Sequence, residues 1–275
     1  MKIKKIRLIK AGAKQTDYWQ DIWRYRELLY LLAWRDLTLR YKQTMFGVIW
    51  VILRPLLTTL VFTVVFSSIA KLPSNNLPYP IMIFTGMIIW QFFADTLIRC
   101  STSLVNNSHL ISKVYFPRLI LPISSFLVSL VDFMILIGFL ITLLLFYRIY
   151  PNWTILTLPI FLLITAIAAI GFGLWISSLN VRYRDFHYLL SFFMQFWLYI
   201  SPVGFISSVV PEQWRLIYYL NPMAGIIDGF RWSIFNESLP IYLQGFSISL
   251  SVIFIFIISG IWFFRKSEKT FADII

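Results

Sequence analysis

Six long apolar windows constrain the fold of this chain more than any other feature of its sequence. A helix needs about 20 mostly apolar residues to cross the hydrocarbon core of a membrane. The windows are apolar throughout rather than alternating, which excludes the strands of a membrane barrel. We therefore predict an all-α integral membrane protein with six transmembrane helices, near Met45–Ala70, Pro80–Ile98, Leu119–Tyr147, Thr154–Leu179, Leu189–Val209 and Leu243–Phe264.

The overall composition agrees with a membrane protein and excludes several other classes. Of 275 residues, 59% are hydrophobic and only 13% are charged, whereas a soluble domain is roughly half apolar and a quarter charged. The single cysteine, Cys100, excludes an internal disulfide, and His109 and His187 stand too far apart for a standard zinc motif. We expect no metal or other cofactor in this chain. We also expect no nucleic-acid partner, because the net charge of +12 follows membrane topology.

The basic residues predict the orientation of the chain. Nineteen of the 24 lysines and arginines fall before the first window, in alternate connections or in the tail. Cytoplasmic segments carry such an excess, so both termini are predicted to face the cytoplasm. The stretch before the first window is too charged for a cleavable signal peptide. We divide the chain into an N-terminal cytoplasmic segment at 1–44, a six-span domain at 45–265 and a cytoplasmic tail at 266–275.

Tyr18–Thr44 is too charged to cross the membrane but has helical periodicity. It predicts an amphipathic helix in the cytoplasmic interface, although Leu31 interrupts the polar face. Such a helix would anchor the first span by its positive charge. It would also suit a docking surface for anionic lipid headgroups or a partner, and the two roles are compatible. The apolar stripe contains Trp23, Tyr30, Trp34, Leu37 and Tyr41.

Two connections contain candidate short helices. The inward loop Ser101–Pro117 has room for one that begins near Ser108, either as a contact for a soluble partner or as a plain connector. The outward segment Val210–Pro240 contains two apolar runs that are too short to cross, separated by Asn221-Pro222. These runs suit helices that dip into the outer leaflet, where protein or water satisfies the broken backbone.

Three ionisable residues fall within the predicted spans: Arg54, Asp95 and Asp132. Each costs a few kcal/mol in hydrocarbon unless it has a partner or a polar cavity. Asp132 is the deepest of the three. A proton relay is conceivable there, but a buried structural hydrogen bond is favoured, because the spans contain no histidine and no second deeply placed acid.

Several expected signatures of an enzyme are missing from the sequence. It has no G-x-x-x-x-G-K-[ST] loop, so it does not bind ATP in that way. The outward loops Lys71–Tyr79 and Arg148–Trp153 contain no acidic residue, which argues against a membrane glycosyltransferase. A G-x-S-x-G nucleophile motif is also missing.

Taken in order, five short motifs resemble the type-2 ABC exporter permeases that move polysaccharides, namely the O-antigen, capsule and teichoic acid export subunits. The likeness covers nearly the whole chain, and the tail that ends Phe271-Ala272-Asp273 also fits. The motifs are RYKQT at 40–44, GVIW at 47–50, RPL at 54–56, KVYFPR at 113–118 and NVRYRDF at 180–186.

The resemblance implies a homodimer in the bacterial inner membrane that pairs with two copies of a separate ABC ATP-binding subunit, which holds ATP and Mg. The implied substrate is a polysaccharide on undecaprenyl diphosphate, moved from the cytoplasm to the outer face of that membrane. O-antigen is favoured, with capsule or teichoic acid as alternatives. A small-molecule or lipid exporter and a glycan-processing enzyme rank below these. The inward loop then becomes the coupling helix, through Leu104, His109, Leu110, Ile111, Lys113 and Tyr115.

Two further sets of residues are predicted for the substrate. Guanidinium groups bind phosphate oxygens bidentately, so the lipid diphosphate is assigned to basic residues near the first span. A polymer longer than the membrane is thick needs a continuous conduit with repeated weak contacts, and stacking of sugar rings on aromatic faces would supply them. Rings that face lipid are the plain alternative. The diphosphate set is Arg24, Arg26, Arg35, Arg40, Lys42 and Arg54; the conduit set is Trp90, Phe93, Phe196, Trp197 and Tyr199.

Overall fold

A computed structural model describes residues 18–42, 47–75 and 77–271, and the regular elements of these residues are all helical. Residues 1–17 and 43–46, which include the predicted start of the first span, lie outside the described residues, as do 272–275 of the tail. The helices are α1 (Tyr18–Arg24), α2 (Arg26–Lys42), α3 (Gly47–Thr63), α4 (Tyr79–Asn106), α5 (Ser108–Lys113), α6 (Ile120–Phe146), α7 (Leu158–Arg182), α8 (Phe186–Ile200), α9 (Glu212–Tyr218), α10 (Pro222–Phe235) and α11 (Leu243–Ser267).

Five of the six predicted spans are helices that are long and apolar enough to cross a membrane. They are α3 with a π-helical continuation at Val64–Ile69, α4, α6, α7 with a preceding 3₁₀ turn, and α11 with a following 3₁₀ turn. The predicted fifth span, Leu189–Val209, is different. Its helix α8 has 15 residues, which at 1.5 Å per residue is roughly 22 Å against a hydrocarbon core of about 30 Å. The count of six spans is therefore not confirmed.

Proline and glycine explain why α8 ends early. Pro202 has no amide hydrogen to continue the helix, and Gly204 follows two residues later. The chain is irregular from Ser201 to Ile206 before it forms one 3₁₀ turn at Ser207–Val209. The two short apolar runs predicted after this point are indeed helical, as α9 and α10. The Asn221 side chain caps α10 by accepting a hydrogen bond from the amide of Met223 at 3.0 Å.

Helix α4 forms the centre of the bundle, packing against α6 and α7, and α7 in turn packs against α11. Helix α4 extends eight residues beyond Ile98, where the second span was predicted to end. The added turns are polar, but their hydroxyl groups donate to carbonyl groups of the preceding turn, as Ser101 does to Ile98 and Ser103 to Cys100. Polar residues are thus accommodated within a helix that the sequence pattern ended too early.

A fully buried arginine donates hydrogen bonds to the backbone carbonyl groups of the irregular segment after α8. Arg231, on α10, is 1% exposed and donates five hydrogen bonds of 2.6 to 3.2 Å, which matches its five N–H groups. A Cβ atom on Gly86 would lie 2.7 Å from Nη2 of Arg231, so the small residue leaves room for the guanidinium group. The acceptors are the carbonyl oxygens of Met82, Pro202, Val203 and Phe205.

We expect Arg231→Lys to destabilise the protein, because lysine has three donors for four buried carbonyl groups. Each buried acceptor left without a donor costs about 1–3 kcal/mol. The thermal unfolding midpoint of the purified protein in detergent should fall by several degrees, while the exposed control Arg148→Lys should leave it unchanged. Equal midpoints for the two variants would show that the guanidinium contacts contribute little.

Candidate functional site

The six basic residues predicted for a lipid diphosphate occupy different environments. Arg24 lies 3.5 Å from Asp21, and the guanidinium group of Arg26 lies 5.5 Å from the ring centroid of Trp23. Arg35 donates to the side chain of Asn107 at 2.8 Å. The remaining three differ in exposure, since Lys42 and Arg54 are exposed and Arg40 is half-buried.

Arg40 is held by Asp132, the deepest charge identified in the sequence. Its Nη2 lies 2.8 Å from Oδ2 of Asp132, and the Tyr41 hydroxyl donates to Oδ1 of the same carboxylate. Burial raises the pKa of the Tyr41 phenol, and the hydrogen bond to Asp132 raises it further, so this hydroxyl stays a donor. The three side chains join α2 to α6. Asp132 thus makes the buried structural hydrogen bond that the sequence favoured over a proton relay.

The predicted interface helix is two helices, α1 and α2, that pack on the bundle through one face. Tyr18, Leu32 and Ala33 are buried, and Leu28 and Leu29 pack against the same cluster as Leu32. Most of the aromatic stripe lies elsewhere: Trp23, Tyr30 and Trp34 are exposed, whereas Tyr41 is half-buried against Asp132. This arrangement leaves an aromatic surface next to basic residues. Its position in a membrane interface stays a prediction.

The predicted coupling residues divide into an internal and an external set. The short helix predicted in this loop is present as α5, with Asn107 rather than Ser108 as its N-cap residue. Leu104 and Ile111 are buried and Leu110 is half-buried against the same cluster, so these three support the segment from within. Of the six predicted residues, His109, Lys113 and Tyr115 are exposed, and an incoming partner would meet these three.

Glu268, near the C-terminal end of the described residues, contacts Tyr18 at their N-terminal end and Arg118, which follows the α5 segment. Its Oε1 accepts hydrogen bonds at 3.0 Å from the Tyr18 hydroxyl and from the backbone amide of Arg118. Arg118 also donates through its side chain to the Glu268 carbonyl oxygen. The guanidinium group of Arg265 lies 3.5 Å from the ring centroid of Tyr18. Glu268 was not among the residues predicted from the sequence, although it is an acid within an otherwise basic tail, RKSEK.

The five predicted conduit residues do not share one surface of the chain. Trp90, Phe93 and Trp197 are buried together: the ring centroids of Phe93 and Trp197 are 5.1 Å apart, and those of Trp90 and Trp197 are 6.1 Å apart. The Trp197 indole also donates to Asn221 at 2.8 Å. Phe196 and Tyr199 instead lie on the outer face of α8, 52% and 63% exposed. Three of the five rings therefore lie in the interior of the chain.

Asp228 and Arg231 are further charged residues that the sequence analysis did not select, because both lie in a connection and not in a predicted span. They stand one helical turn apart on α10. Burial raises the pKa of Asp228, whereas hydrogen bonds from Ser207 and Tyr219 and the charge of Arg231 act in the opposite direction. Two opposite charges three residues apart in an otherwise apolar helix were the available signal.

Comparison with known proteins identifies the family. Residues 27–235 match the family described as ABC-2 type transporter. The chain is 29% identical over 250 residues to an "O-antigen export system permease protein RfbA" of Klebsiella pneumoniae, which covers 90% of this chain and 95% of that protein. A protein of the same description from Myxococcus xanthus is 26% identical over 253 residues, 90% of this chain and 96% of its own.

A "Capsule polysaccharide export inner-membrane protein CtrC" of Neisseria meningitidis is also similar, at 22% identity over 240 residues, 83% of this chain and 86% of that protein. The resemblance drawn from the short motifs is therefore confirmed. With a family match that extends from α2 to the end of α10 and five helices long enough to cross a membrane, the chain belongs to the ABC-2 type transporter family and is a multi-pass membrane transport subunit.

Proposed function

We propose that this chain is the permease subunit of an ABC exporter that moves a polysaccharide on undecaprenyl diphosphate across the bacterial inner membrane. The observation that carries the proposal is the alignment with O-antigen export permeases over 90% of this chain and 95% of theirs. Similarity over nearly the full length of both proteins supports the same arrangement, in which this chain forms the transport pathway and a separate chain hydrolyses ATP. Capsule export is the second candidate, favoured by the similarity to CtrC. Teichoic acid export follows by the earlier resemblance.

The proposed assembly is a homodimer with two copies of an ABC ATP-binding subunit, which hold ATP and Mg. The termini and the α5 segment face the cytoplasm in this proposal. Helix α5 is bound to the bundle through Ile111 and through the contact between Arg35 and Asn107. A displacement of α5 by a partner on its exposed side would therefore move α2 and α4 together. Phe196 and Tyr199 are retained as conduit candidates, since they are the exposed members of that set.

Deletion of the gene tests the proposed function. In the organism that encodes this chain, the deletion strain should lose a surface polysaccharide and accumulate it inside the cell on a lipid carrier. Complementation with the intact gene should reverse both effects. A strain that keeps all its surface polysaccharides and instead retains a small molecule or lipid would contradict the proposal.

Exposed and buried residues of α5 should behave differently on substitution. Lys113→Glu should reduce co-purification of the ATP-binding subunit by about tenfold, the effect of about 1.4 kcal/mol, and leave the amount of inserted permease unchanged. Ile111→Asp should instead lower the amount of folded permease, because it places a charge in a buried position.

The control for this comparison is Lys71→Glu, an exposed lysine outside the α5 segment. It should bind the ATP-binding subunit normally. Normal binding and normal stimulation of ATP hydrolysis by Lys113→Glu would exclude this face of α5 as the contact.

The position of Arg40 separates a structural role from a substrate role. Arg40→Gln should reduce the amount of inserted protein, because it leaves the Asp132 carboxylate without its ionic partner. Adding Asp132→Asn should restore that amount, since an amide needs no counter-ion and its carbonyl oxygen still accepts from Tyr41. Immunoblots of membrane fractions provide the measurement.

Export by the double variant then tests the diphosphate assignment. If Arg40 is purely structural, Arg40→Gln with Asp132→Asn exports normally. If Arg40 also receives the lipid diphosphate, export stays lost although the protein is restored. Exposed Arg54 is the matched comparison: Arg54→Gln should abolish export at normal abundance, and normal export would remove Arg54 from the diphosphate set.

A further inference from the structure

A cavity of about 270 Å³ lies where the irregular segment after α8 meets α9, α10 and the start of α11. Nothing in the export scheme above uses it. Its volume is at the small end for ligand pockets, which suits one ring-sized group rather than a length of polymer. The polar and aromatic side chains that line it include Asn75, Ser208, Arg215, Tyr219, Asp228 and Tyr242.

The polar groups of this cavity complement hydroxyl groups. Asp228 already accepts a hydrogen bond at 2.6 Å from the Tyr219 hydroxyl and has acceptor capacity left. Arg215 reaches the carbonyl oxygens of Ser208 and Val210 only at 3.5 Å, and its Nε makes no hydrogen bond to the described part of the chain. Donors and acceptors therefore line the same cavity, and the neighbouring hydroxyl groups of a sugar can bond to both.

Two aromatic rings form a wall of the cavity. The centroids of Tyr219 and Tyr242 are 5.6 Å apart with the rings tilted by 46°. The guanidinium group of Arg215 lies 5.7 Å from the centroid of Tyr242. Aromatic faces carry partial negative charge and attract the weakly positive C–H bonds on the apolar face of a sugar ring.

The charges in the cavity favour a neutral ligand over a phosphate or another anion. Arg231 also borders the cavity, but its five N–H groups are already bound to backbone carbonyls. Besides Arg215, the cavity contains a carboxyl group, that of Asp228. A hydroxyl can donate to that group when it is ionised and accept from it when it is protonated, whereas an anion would be repelled by the ionised form.

We propose that this cavity is a binding site for one neutral sugar residue of the exported glycan. The proposal rests on the polysaccharide export function proposed above. The cavity is bordered by Asn75, which precedes the N-terminal end of the 28-residue helix α4, whereas α5 follows the C-terminal end of that helix. In the proposed orientation the cavity is on the outward side. A site of this kind would hold the leading sugar as it leaves the permease.

Photo-crosslinking in exporting cells tests the site with the natural glycan. Tyr242 is replaced by p-benzoylphenylalanine, with Ser208 as a second position that also lines the cavity. The control is Leu243, which is 73% exposed and does not line it. After illumination, the permease should carry glycan, detected with glycan-specific antibody, at 242 or 208 in at least about tenfold excess over 243.

A second variant distinguishes recognition from mere proximity. Arg215→Met removes the donors of a half-buried side chain with only long internal hydrogen bonds, so the fold should tolerate it. It should lower the crosslink yield at 242 by about tenfold, as expected for the loss of one charge-assisted hydrogen bond. Glu212→Gln, an exposed change on the same helix that does not line the cavity, should leave the yield unchanged.

Three results would overturn the proposed sugar site: equal glycan crosslinking at 242, 208 and 243, no glycan adduct at either cavity position while export continues, or a phospholipid adduct at the cavity positions. An unchanged yield with Arg215→Met would overturn the recognition by Arg215. These outcomes are separate from failure of the export function, which the deletion strain reports by keeping its surface polysaccharide.

Discussion

Every backbone carbonyl group in an apolar bundle needs a hydrogen-bond donor, and the arrangement after α8 depends on how one side chain meets that need. Arg231 supplies its five N–H groups to four carbonyl oxygens, three of them in the irregular stretch at 202–205. Without these donors, a break in helix α8 within the bundle would be costly. With them, the chain can leave its helix, fold back through α9 and α10, and enclose the polar cavity beside Asp228.

Two carboxylates play a similar part in holding α1 and α2 on the bundle. Asp132 holds Arg40 and Tyr41 of α2, and Glu268 holds Tyr18 and Arg118. These contacts fix α1 and α2 beside the α5 segment, with Ile111 and Leu104 in the shared apolar cluster. A force applied to the exposed side of α5 would therefore reach α2, α4 and α6. This linkage is the physical basis on which we propose that ATP hydrolysis on a partner chain moves the permease.

The sequence correctly predicted the helices whose positions follow from periodicity and hydropathy. Five spans, the short helix at Ser108 and the two short helices around Asn221-Pro222 are all present as helices. The end of α8 was missed because a hydropathy window gives little weight to Pro202 and Gly204, which are breakers within an apolar run. The end of α4 was also missed, because serine hydroxyls can bond to the preceding turn.

The direction of the side chains was the main feature of the candidate site that could not be predicted from the sequence. Aromatic residues such as Trp90 and Phe196 look equivalent in the sequence, yet the first is buried in the protomer and the second is exposed. Which way a ring points depends on helix rotation, and the prediction treated the aromatic residues of each span alike without assigning that rotation. The partners of Arg40 and Arg231 were hidden for another reason: Asp132 and the carbonyl groups of 202–205 are far from them in the chain.

Transport itself is the most direct test of the account. Inverted membrane vesicles that contain this chain, its ATP-binding subunit and the lipid-linked glycan expose the cytoplasmic face to the medium. We expect addition of ATP to move the glycan into the lumen, where an added glycosidase cannot reach it, and vesicles that lack this chain to give no protection. Glycan that stays fully accessible to the glycosidase with ATP and both subunits present would contradict the account.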